Sequence, residues 1–224
     1  APEHVPIERY LDDKDMSLDF ILITHHHSDH IDGINHLKLK YSPKVIGATR
    51  DRHRLPQLDI EVEEGKQLTI GSKTFDIYDV DGHTVGHVAY SLLEDKALFT
   101  GDSLMVMGCG RLFEGSPEDM WKSLEKLKQL PDDIMIYSGH EYTKSNIEFA
   151  LTVDPQNKKL EARVTKEFEK LQKGLPTVPS TLRTELDTNP FLRENEISIV
   201  DHMDMLNLDP ISRFAKIRAQ KDIF

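Results

Sequence analysis

The spacing of apolar residues along the chain predicts strands and helices in its first part. Residues 18–24 form a short apolar run rich in β-forming side chains, which predicts a buried strand. Further strands are predicted over 44–47, 67–70, 74–80, 87–93, 97–100 and 134–137, and the last of these is expected to be the final strand. Apolar residues at helical spacing predict helices over 6–14, 34–40 and 117–130.

The pattern changes after about residue 143, because only helices are predicted beyond it. Residues 145–173 show the spacing of two helices that separate near Asp154, and Pro210 begins a last helix to about Lys221. A proline-containing linker lies at 174–180. The sequence therefore predicts an α/β domain over residues 1–143 and a helical domain over residues 144–224.

Composition and charge narrow the class of protein. The chain has 224 residues, of which 38% are hydrophobic and 30% charged, the balance of a globular protein. No apolar run approaches the roughly 18 residues that a membrane-spanning helix needs, so we expect no membrane partner. The net charge of −11 disfavours binding to nucleic acid. The single Cys109 excludes an intrachain disulfide. We also expect the protein to be a monomer and to lie in the cytoplasm.

A crowd of histidines follows the first predicted strand. The segment 24–30 offers His25, His27, Asp29 and His30, in what we expect to be a tight turn. Imidazole and carboxylate groups are typical ligands of zinc, iron or manganese. Four such groups exceed the three protein ligands that an open catalytic ion usually takes, and therefore indicate two adjacent ions.

Three more candidate ligands, His83, Asp102 and His140, also follow predicted strands. Each comes directly after a glycine, which permits a tight backbone turn. Because ligands at strand ends can meet at one edge of a sheet, we expect the three to converge on the histidine cluster. His26 is expected to be structural, and His87 either supports the ligands or is a packed strand residue.

At these residues the sequence resembles a known family. Thr-His-x-His-x-Asp-His, Gly-His-Thr, Thr-Gly-Asp and Gly-His-Glu occur in the order that is typical of the metallo-β-lactamase superfamily. More narrowly, the segments 108–115, 138–143, 177–180 and 189–191 resemble glyoxalase II, the hydroxyacylglutathione hydrolases. The resemblance covers nearly the whole chain. It implies an α/β fold, a four-layer αββα sandwich with the metal site at one edge and a C-terminal helical substrate-binding segment.

The resemblance also implies roles for the metal ligands. The implied sets are His25, His27 and His83 for one ion, Asp29, His30 and His140 for the other, and Asp102 as the bridge between them. Two divalent ions, zinc first with iron or manganese as alternatives, would supply a bridging hydroxide that attacks a thioester carbonyl. Asp29 would help to orient that hydroxide.

The implied substrate is S-D-lactoylglutathione or another 2-hydroxyacylglutathione, cleaved to D-lactate and glutathione in methylglyoxal detoxification. The residues implied to contact it are Arg111, Phe113, Tyr142, Arg218 and Lys221. Phe113 stands where some members of the family have tyrosine. Arg218 and Lys221 lie three residues apart on the final helix and would meet the glycine carboxylate of glutathione. Without the resemblance, the pair would suggest a solvated helix end.

Other interpretations use the same residues. A mononuclear iron persulfide dioxygenase of the superfamily shares the histidine cluster and the Gly-Cys-Gly-Arg segment, and another thioester or ester hydrolase would share the metal centre. A non-catalytic relative is the third alternative, although seven intact ligand residues argue against it. Cys109 is expected to be a small packed residue rather than a nucleophile.

The start of the chain differs from the family pattern. Family members usually carry a β-hairpin and a further strand before the helix predicted at 6–14, and this sequence begins without them. The shortened sheet would expose backbone groups and apolar side chains, so we expect reduced stability and a tendency to associate.

Overall fold

The computed structural model describes residues 2–224, which form two main β-sheets with helices on their outer faces and a third sheet of only two strands. The strands of these residues are β1 (Phe20–Leu22), β2 (Lys44–Ala48), β3 (Ile60–Val62), β4 (Gln67–Ile70), β5 (Lys73–Asp79), β6 (Val88–Leu92), β7 (Ala97–Gly101), β8 (Leu104–Met105), β9 (Gly108–Cys109), β10 (Met135–Ser138) and β11 (Ser180–Thr181). Their α-helices are α1 (Val5–Lys14), α2 (Ser28–Ile31), α3 (Ile34–Tyr41), α4 (Pro117–Leu127), α5 (Thr143–Val153), α6 (Lys158–Gln172), α7 (Leu182–Thr188), α8 (Ile197–His202) and α9 (Pro210–Ile223).

The larger sheet has six strands in the order β11-β10-β7-β6-β5-β4, and the smaller one is the parallel set β1-β2-β3. In the larger sheet β4 to β7 are antiparallel neighbours, while β10 lies parallel to β7. All five residues of β6 are buried, because both faces of this central strand are covered.

The apolar side chains divide into layers around the two sheets. Ile46 of the smaller sheet and Ile77, Val88 and Tyr90 of the larger one belong to a single core between the sheets. On the outer side of the smaller sheet, Ile34 of α3 packs into a cluster with Val45. Together with the helices on the larger sheet, this arrangement confirms the predicted four-layer αββα sandwich.

The outer face of the larger sheet is covered by helices from both parts of the chain. Leu98 of β7 shares one core with Leu124 of α4, Phe149 of α5 and Phe214 of α9. α4 begins with a capping box in which the side chains and backbone of Ser116 and Asp119 exchange hydrogen bonds. The C-terminal helices are therefore packed into the same core as the larger sheet.

Several element predictions need correction. Residues beyond 143 are not purely helical, because Thr181 and Ser180 of β11 pair antiparallel with Met135 and Ile136 of β10. A two-residue strand shows no apolar period, so the sequence did not indicate it. The strand predicted over 18–24 is only β1, and the helix predicted to residue 130 ends at Leu127, ahead of Pro131. The short elements α2, α7, α8, β3, β8 and β9 were not predicted.

The directions of the strands bring their carboxyl ends to one edge. β5 and β7 both run antiparallel to β6, and β10 runs parallel to β7. The segment after β1 is joined to the larger sheet, since Val88 N–H donates to Thr24 O at 2.9 Å and Tyr90 Oη donates to Ile23 O at 2.8 Å. The loops after β1, β5, β7 and β10 therefore meet. Within residues 2–224, no helix combines the length and apolar character needed to cross a membrane.

Candidate metal centre and substrate cleft

The structure brings the seven predicted ligand residues together at this edge. Their nitrogen and oxygen atoms form three groups, in each of which the ligand atoms lie within 4.8 Å of one another. The groups are His25, His27 and His83; His25, His30 and Asp102; and Asp29, His30 and His140. The first and third are the two ligand sets that the resemblance implies.

Asp102 lies between these two sets. Its Oδ2 atom is 3.4 Å from Nε2 of His83, 3.5 Å from Nε2 of His30 and 3.2 Å from Nε2 of His140. The side chain is almost entirely buried, so this orientation is fixed by its surroundings. One carboxylate oxygen thus faces ligands of both sets, which is the position that a bridging carboxylate requires.

Hydrogen bonds on the far side of the rings orient two of the imidazoles. Nδ1 of His83 lies 2.7 Å from the backbone carbonyl of Arg111, so a neutral ring donates there and keeps an acceptor Nε2 toward the cluster. Nδ1 of His25 lies 3.1 Å from Oγ1 of Thr24. Partners of this kind fix the tautomer and orientation of metal-binding histidines.

The protonation states of the cluster suit a cation. Burial, followed by neighbouring histidines, lowers the pKa of His25, and burial also lowers the pKa values of His27 and His83. Burial alone would raise the pKa of Asp102, but a hydrogen bond from His30 and the surrounding histidines hold it below its ordinary value. Neutral imidazoles and an ionised carboxylate are the forms that bind divalent metals.

Two buried atoms of the cluster support the fit of its residues to metal ions. Nε2 of His25 and Oδ1 of Asp102 have no hydrogen-bond partner among the described residues. Leaving such atoms unpaired costs about 1–3 kcal/mol each. Nδ1 of His27 also lies 3.0 Å from Nε2 of His83, so two ring nitrogens converge on one region. A divalent cation would be coordinated by the lone pairs of these atoms. Imidazole with carboxylate is a ligand set of zinc, iron and manganese.

The histidine segment differs from the predicted tight turn. His25 and His27 precede α2, a single helical turn that begins at Ser28 and contains Asp29 and His30. Helical spacing carries Asp29 toward the next ligand loop, where its Oδ2 lies 3.1 Å from Nε2 of His140. The side chain of Asp29 remains 47% exposed, which leaves it accessible from the cleft.

Glycines let the ligand loops approach closely. Gly101 has a φ of +51°, and a Cβ atom there would lie 2.7 Å from Oγ1 of Thr24. A Cβ atom on Gly139 would lie 2.5 Å from Oδ1 of Asp102 and 2.7 Å from Cε1 of His30. A side chain at Gly139 would displace ligand residues, and one at Gly101 would displace Thr24, which contacts His25.

A cleft of about 550 Å³ opens beside the cluster. It is lined by five of the ligand residues and by all the predicted substrate-contacting residues, namely Arg111, Phe113, Tyr142, Arg218 and Lys221. Cationic side chains thus stand at one side of a cleft whose floor carries the metal ligands. This asymmetry suits an anionic substrate whose reacting group points at the ligands.

The two basic residues of α9 are held in different ways. Arg218 is buried, donates from Nη1 to the backbone carbonyl of Cys109 at 3.0 Å and lies 5.0 Å from the ring centroid of Phe191. Nζ of Lys221 donates to the carbonyl and hydroxyl oxygens of Ser145 at 2.9 and 2.8 Å. Burial and the nearby charge of Arg218 lower the pKa of Lys221 to about 8.

Two aromatic rings flank the ligands. The largely exposed ring of Phe113 meets the rings of His27 and His83 edge-on, with centroids 5.5 and 5.3 Å away. The ring of Tyr142 stacks on that of His140 at 4.8 Å. Both rings therefore lie between the ligand histidines and solvent.

His87 and Cys109 have structural positions. Nε2 of His87 accepts a hydrogen bond of 3.1 Å from the backbone N–H of Asp102, and burial lowers the pKa of His87 to about 3. His87 is thus a packed residue that also supports a ligand. Burial raises the pKa of Cys109 to about 11, which keeps its thiol protonated and argues against a nucleophile.

Sequence reasoning missed residues that support the ligands from outside the cleft. His26 does point away from the ligands, and its Nδ1 lies 2.9 Å from Oδ2 of the buried Asp51. Arg54 and Glu114 complete this contact ring. Asp222 also was not predicted, although it pairs with two cleft arginines. None of these residues is a ligand position of a recognisable motif. The sequence showed only that they are polar or charged, which does not reveal their contacts.

Comparison with known proteins agrees with this geometry. The family model of the metallo-beta-lactamase superfamily matches residues 2–140, and that of the hydroxyacylglutathione hydrolase C-terminus matches residues 141–224. A relative named hydroxyacylglutathione hydrolase from Ruegeria pomeroyi is 52% identical over 224 residues, which are 100% of this chain and 88% of the relative. The chain belongs to the hydroxyacylglutathione hydrolase family. A second relative of that name, from Methylococcus capsulatus, is 43% identical over 219 residues, which are 98% of this chain and 86% of the relative.

Solved structures confirm the fold of this hydroxyacylglutathione hydrolase family member. The B3 metallo-beta-lactamase BLEG-1 matches with a TM-score of 0.64 and 24% identity over 84% of each chain. ETHE1 from Myxococcus xanthus matches with a TM-score of 0.62 and 23% identity, over 99% of this chain and 86% of its own. The persulfide dioxygenase alternative is not favoured, because the C-terminal match and the curated relatives both indicate a hydroxyacylglutathione hydrolase.

Proposed function

We propose that this chain hydrolyses the thioester of a 2-hydroxyacylglutathione, with S-D-lactoylglutathione as the preferred substrate and D-lactate and glutathione as products. The observation that carries the proposal is one cleft that is lined by five residues of the seven-residue ligand cluster and by Arg218 and Lys221. The family membership and the C-terminal match at residues 141–224 support the same substrate.

The residues that would hold two ions are the sets described above. They are His25, His27 and His83 for one ion, Asp29, His30 and His140 for the other, and Asp102 for both. Divalent ions bound there, zinc or alternatively iron or manganese, would supply hydroxide at neutral pH and polarise the thioester carbonyl.

The side chains of the chain itself position the reactants. The exposed carboxylate of Asp29 can accept a hydrogen bond from an attacking water and orient it. The ring of Phe113 covers His27 and His83 at the cleft and reduces the access of bulk water. The leaving group is a thiol with an ordinary pKa of about 8.5, so its departure as a thiolate needs little help from a general acid.

The basic residues would bind the glutathione part of the substrate. The geometry supports the glycine carboxylate as the partner of Arg218 and Lys221, because Arg218 is buried and fixed while Lys221 lies beside it. Arg111 is largely exposed, and its backbone adjoins the ligands, since its carbonyl accepts from Nδ1 of His83. Charge-assisted contacts of this kind are strong and geometrically selective.

Replacement of both α9 cations by alanine tests the substrate assignment. We expect the KM for S-D-lactoylglutathione to rise about 10- to 150-fold in the Arg218→Ala/Lys221→Ala variant, from the loss of about 1.5–3 kcal/mol. The value of kcat should change much less, because a distant carboxylate contact is the same in the ground state and the transition state. Steady-state kinetics on the metal-loaded protein give both constants.

A matched control removes two cations elsewhere. Lys166→Ala/Lys173→Ala deletes the same charge from exposed positions on and after α6, and its KM should equal that of the unsubstituted protein. Unchanged KM in the Arg218/Lys221 variant would show that the pair does not bind the substrate. Absence of thioester hydrolysis by the metal-loaded chain would refute the proposed function itself.

A further inference from the structure

Asp222 contacts both arginines of the cleft. It lies one helical turn after Arg218 on α9, and its Oδ1 atom is 3.1 Å from Nη2 of Arg218. The same oxygen lies 3.7 Å from Nε of Arg111, which comes from the loop after β9. One carboxylate therefore connects the C-terminal helix with the loop that supports His83. The mechanism proposed above does not use this residue.

We propose that Asp222 is a positioning residue that presets Arg111 and Arg218 for the anionic end of the substrate. The inference rests on the proposed function, since it concerns the glutathione carboxylate. Asp222 acts through the arginines and makes no contact with the reacting atoms.

The contacts of Arg218 show how the presetting works. Its guanidinium has five N–H donors in a rigid plane. The carbonyl of Cys109 accepts from Nη1, and Oδ1 of Asp222 forms an ion pair with Nη2 at 3.1 Å, so both terminal nitrogens of the plane are engaged. The remaining donors include Nε, which has no hydrogen-bond partner among the described residues. A guanidinium fixed in this way binds a carboxylate without first losing rotamer freedom.

Arg111 gains more from Asp222 because it has little other support. Its side chain is 61% exposed, and Asp222 is its only ion-pair partner in residues 2–224. Exposed arginines sample many rotamers, and a ligand must restrict them when it binds. Attraction to Asp222 confines the guanidinium to the side of the cleft where Arg218 stands before the substrate arrives.

A competing role for Asp222 predicts the opposite effect. A carboxylate that occupied the arginines would compete with the substrate, and its removal would tighten binding. The geometry favours positioning, because Asp222 lies at 3.7 Å from Arg111 and its ion pair engages only one of the two terminal nitrogens of Arg218. The direction of the change in KM therefore separates the two roles.

The test compares Asp222→Asn with Asp222→Glu in the metal-loaded protein. We expect Asp222→Asn to raise both the KM for S-D-lactoylglutathione and the calorimetric Kd for glutathione about tenfold, with kcat within about twofold. Asp222→Glu keeps the charge and should restore both constants to within about threefold. Asp201→Asn is the matched control, because Asp201 is exposed and makes no side-chain ion pair in the described part of the chain.

Coupling to Arg111 distinguishes positioning from a general structural effect. In an Arg111→Met background, Asp222→Asn should raise KM by only about threefold, since one of the two arginines it acts on is gone. A tenfold effect that persists undiminished there, or a loss of kcat together with a lower melting temperature, would overturn the positioning role. Unchanged or lower KM in Asp222→Asn would overturn it as well.

The outcomes also separate this inference from the proposed function. Hydrolysis of S-D-lactoylglutathione by the unsubstituted protein, together with an unchanged KM in Asp222→Asn, would refute only the role of Asp222. If the unsubstituted protein neither hydrolyses this thioester nor binds glutathione, both proposals fail.

Discussion

Beside the histidine segment, three polar side chains form a ring of contacts with the buried Asp51. His26 lies 2.9 Å from Oδ2 of Asp51, and Nε of Arg54 donates to Oδ1 at 2.6 Å. Arg54 also donates to Glu114, which accepts from the backbone N–H of Val85 at 2.8 Å. The ring therefore connects the residue between His25 and His27 with a residue two positions after His83.

Asp51→Asn tests the importance of this ring for metal binding. The amide keeps the size of the side chain but loses the charge that holds both His26 and Arg54, so the ligand segments should be less well fixed. We expect the affinity for Zn²⁺ to fall about 10- to 100-fold, as measured by competition with a chromophoric chelator. Asp32→Asn, an exposed position just after the cluster, is the control. Equal affinities in the two variants would contradict the supporting role.

The lowered pKa of Lys221 predicts a pH-dependent KM. Burial and Arg218 lower its pKa to about 8, against a smaller raising effect of Glu148. Lys221 is charged below this pKa and loses its proton above it, so binding of a carboxylate should weaken as pH rises. We expect the KM for S-D-lactoylglutathione to increase about three- to tenfold between about pH 7 and about pH 9.5.

Lys221→Arg provides the control for that pH profile. Arginine stays charged throughout this range, so the KM of the Lys221→Arg variant should rise less with pH than that of the unsubstituted protein. Parallel profiles of the two proteins would show that Lys221 is not the titrating group.

At the scale of secondary-structure elements, a buried ion pair joins the C-terminal helices to the cleft. Arg163 of α6 donates to Oε1 of Glu185 of α7 at 2.5 Å, and both side chains are buried. The other oxygen of Glu185 accepts from the backbone N–H of Met107 at 2.8 Å. Asn189 donates to the carbonyls of Met105 and Gly108, at 3.1 and 3.0 Å. These bonds hold the loop that leads to Arg111.

Glu185→Ala should destabilise the protein strongly, because it leaves the buried Arg163 with only the more distant carboxylate of Glu167, at 3.8 Å, and removes the acceptor of the Met107 N–H. We expect the free energy of unfolding to fall by about 3–5 kcal/mol, as measured by denaturant unfolding of the metal-loaded protein. Glu169→Ala, at an exposed position of α6, should change it by less than about 0.5 kcal/mol. A loss below about 1 kcal/mol in Glu185→Ala would show that the pair is not needed for packing.

At the scale of the whole molecule, the sequence predicted the parts that depend on local patterns. His83, Asp102 and His140 were found because each follows a glycine at the end of an apolar strand, and strand ends that share a direction meet at one edge. The four-layer fold and the cleft residues came from motifs in a fixed order. Local spacing and family resemblance therefore sufficed for the sheets and the ligand candidates.

The missed parts depend on long-range contacts that no local pattern records. His26 meets Asp51 across 25 residues of sequence, and Arg218 meets Cys109 across 109. β11 exists because residues 180 and 181 pair with β10, not because of their own periodicity. Asp222 looks like a solvated helix residue until Arg111 is placed beside it. Only tertiary structure assigns roles to such residues.

The central claim is a hydrolytic centre of two ions that share Asp102, and a metal titration followed by activity tests it most directly. The metal-free protein is titrated with Zn²⁺ while bound metal and hydrolysis of S-D-lactoylglutathione are measured in the same samples. We predict that the activity reaches its plateau at two ions per chain, and that Asp102→Ala binds fewer ions and loses at least about 100-fold in kcat. Full activity at one ion per chain, or an Asp102→Ala protein that retains both ions and its rate, would contradict the account.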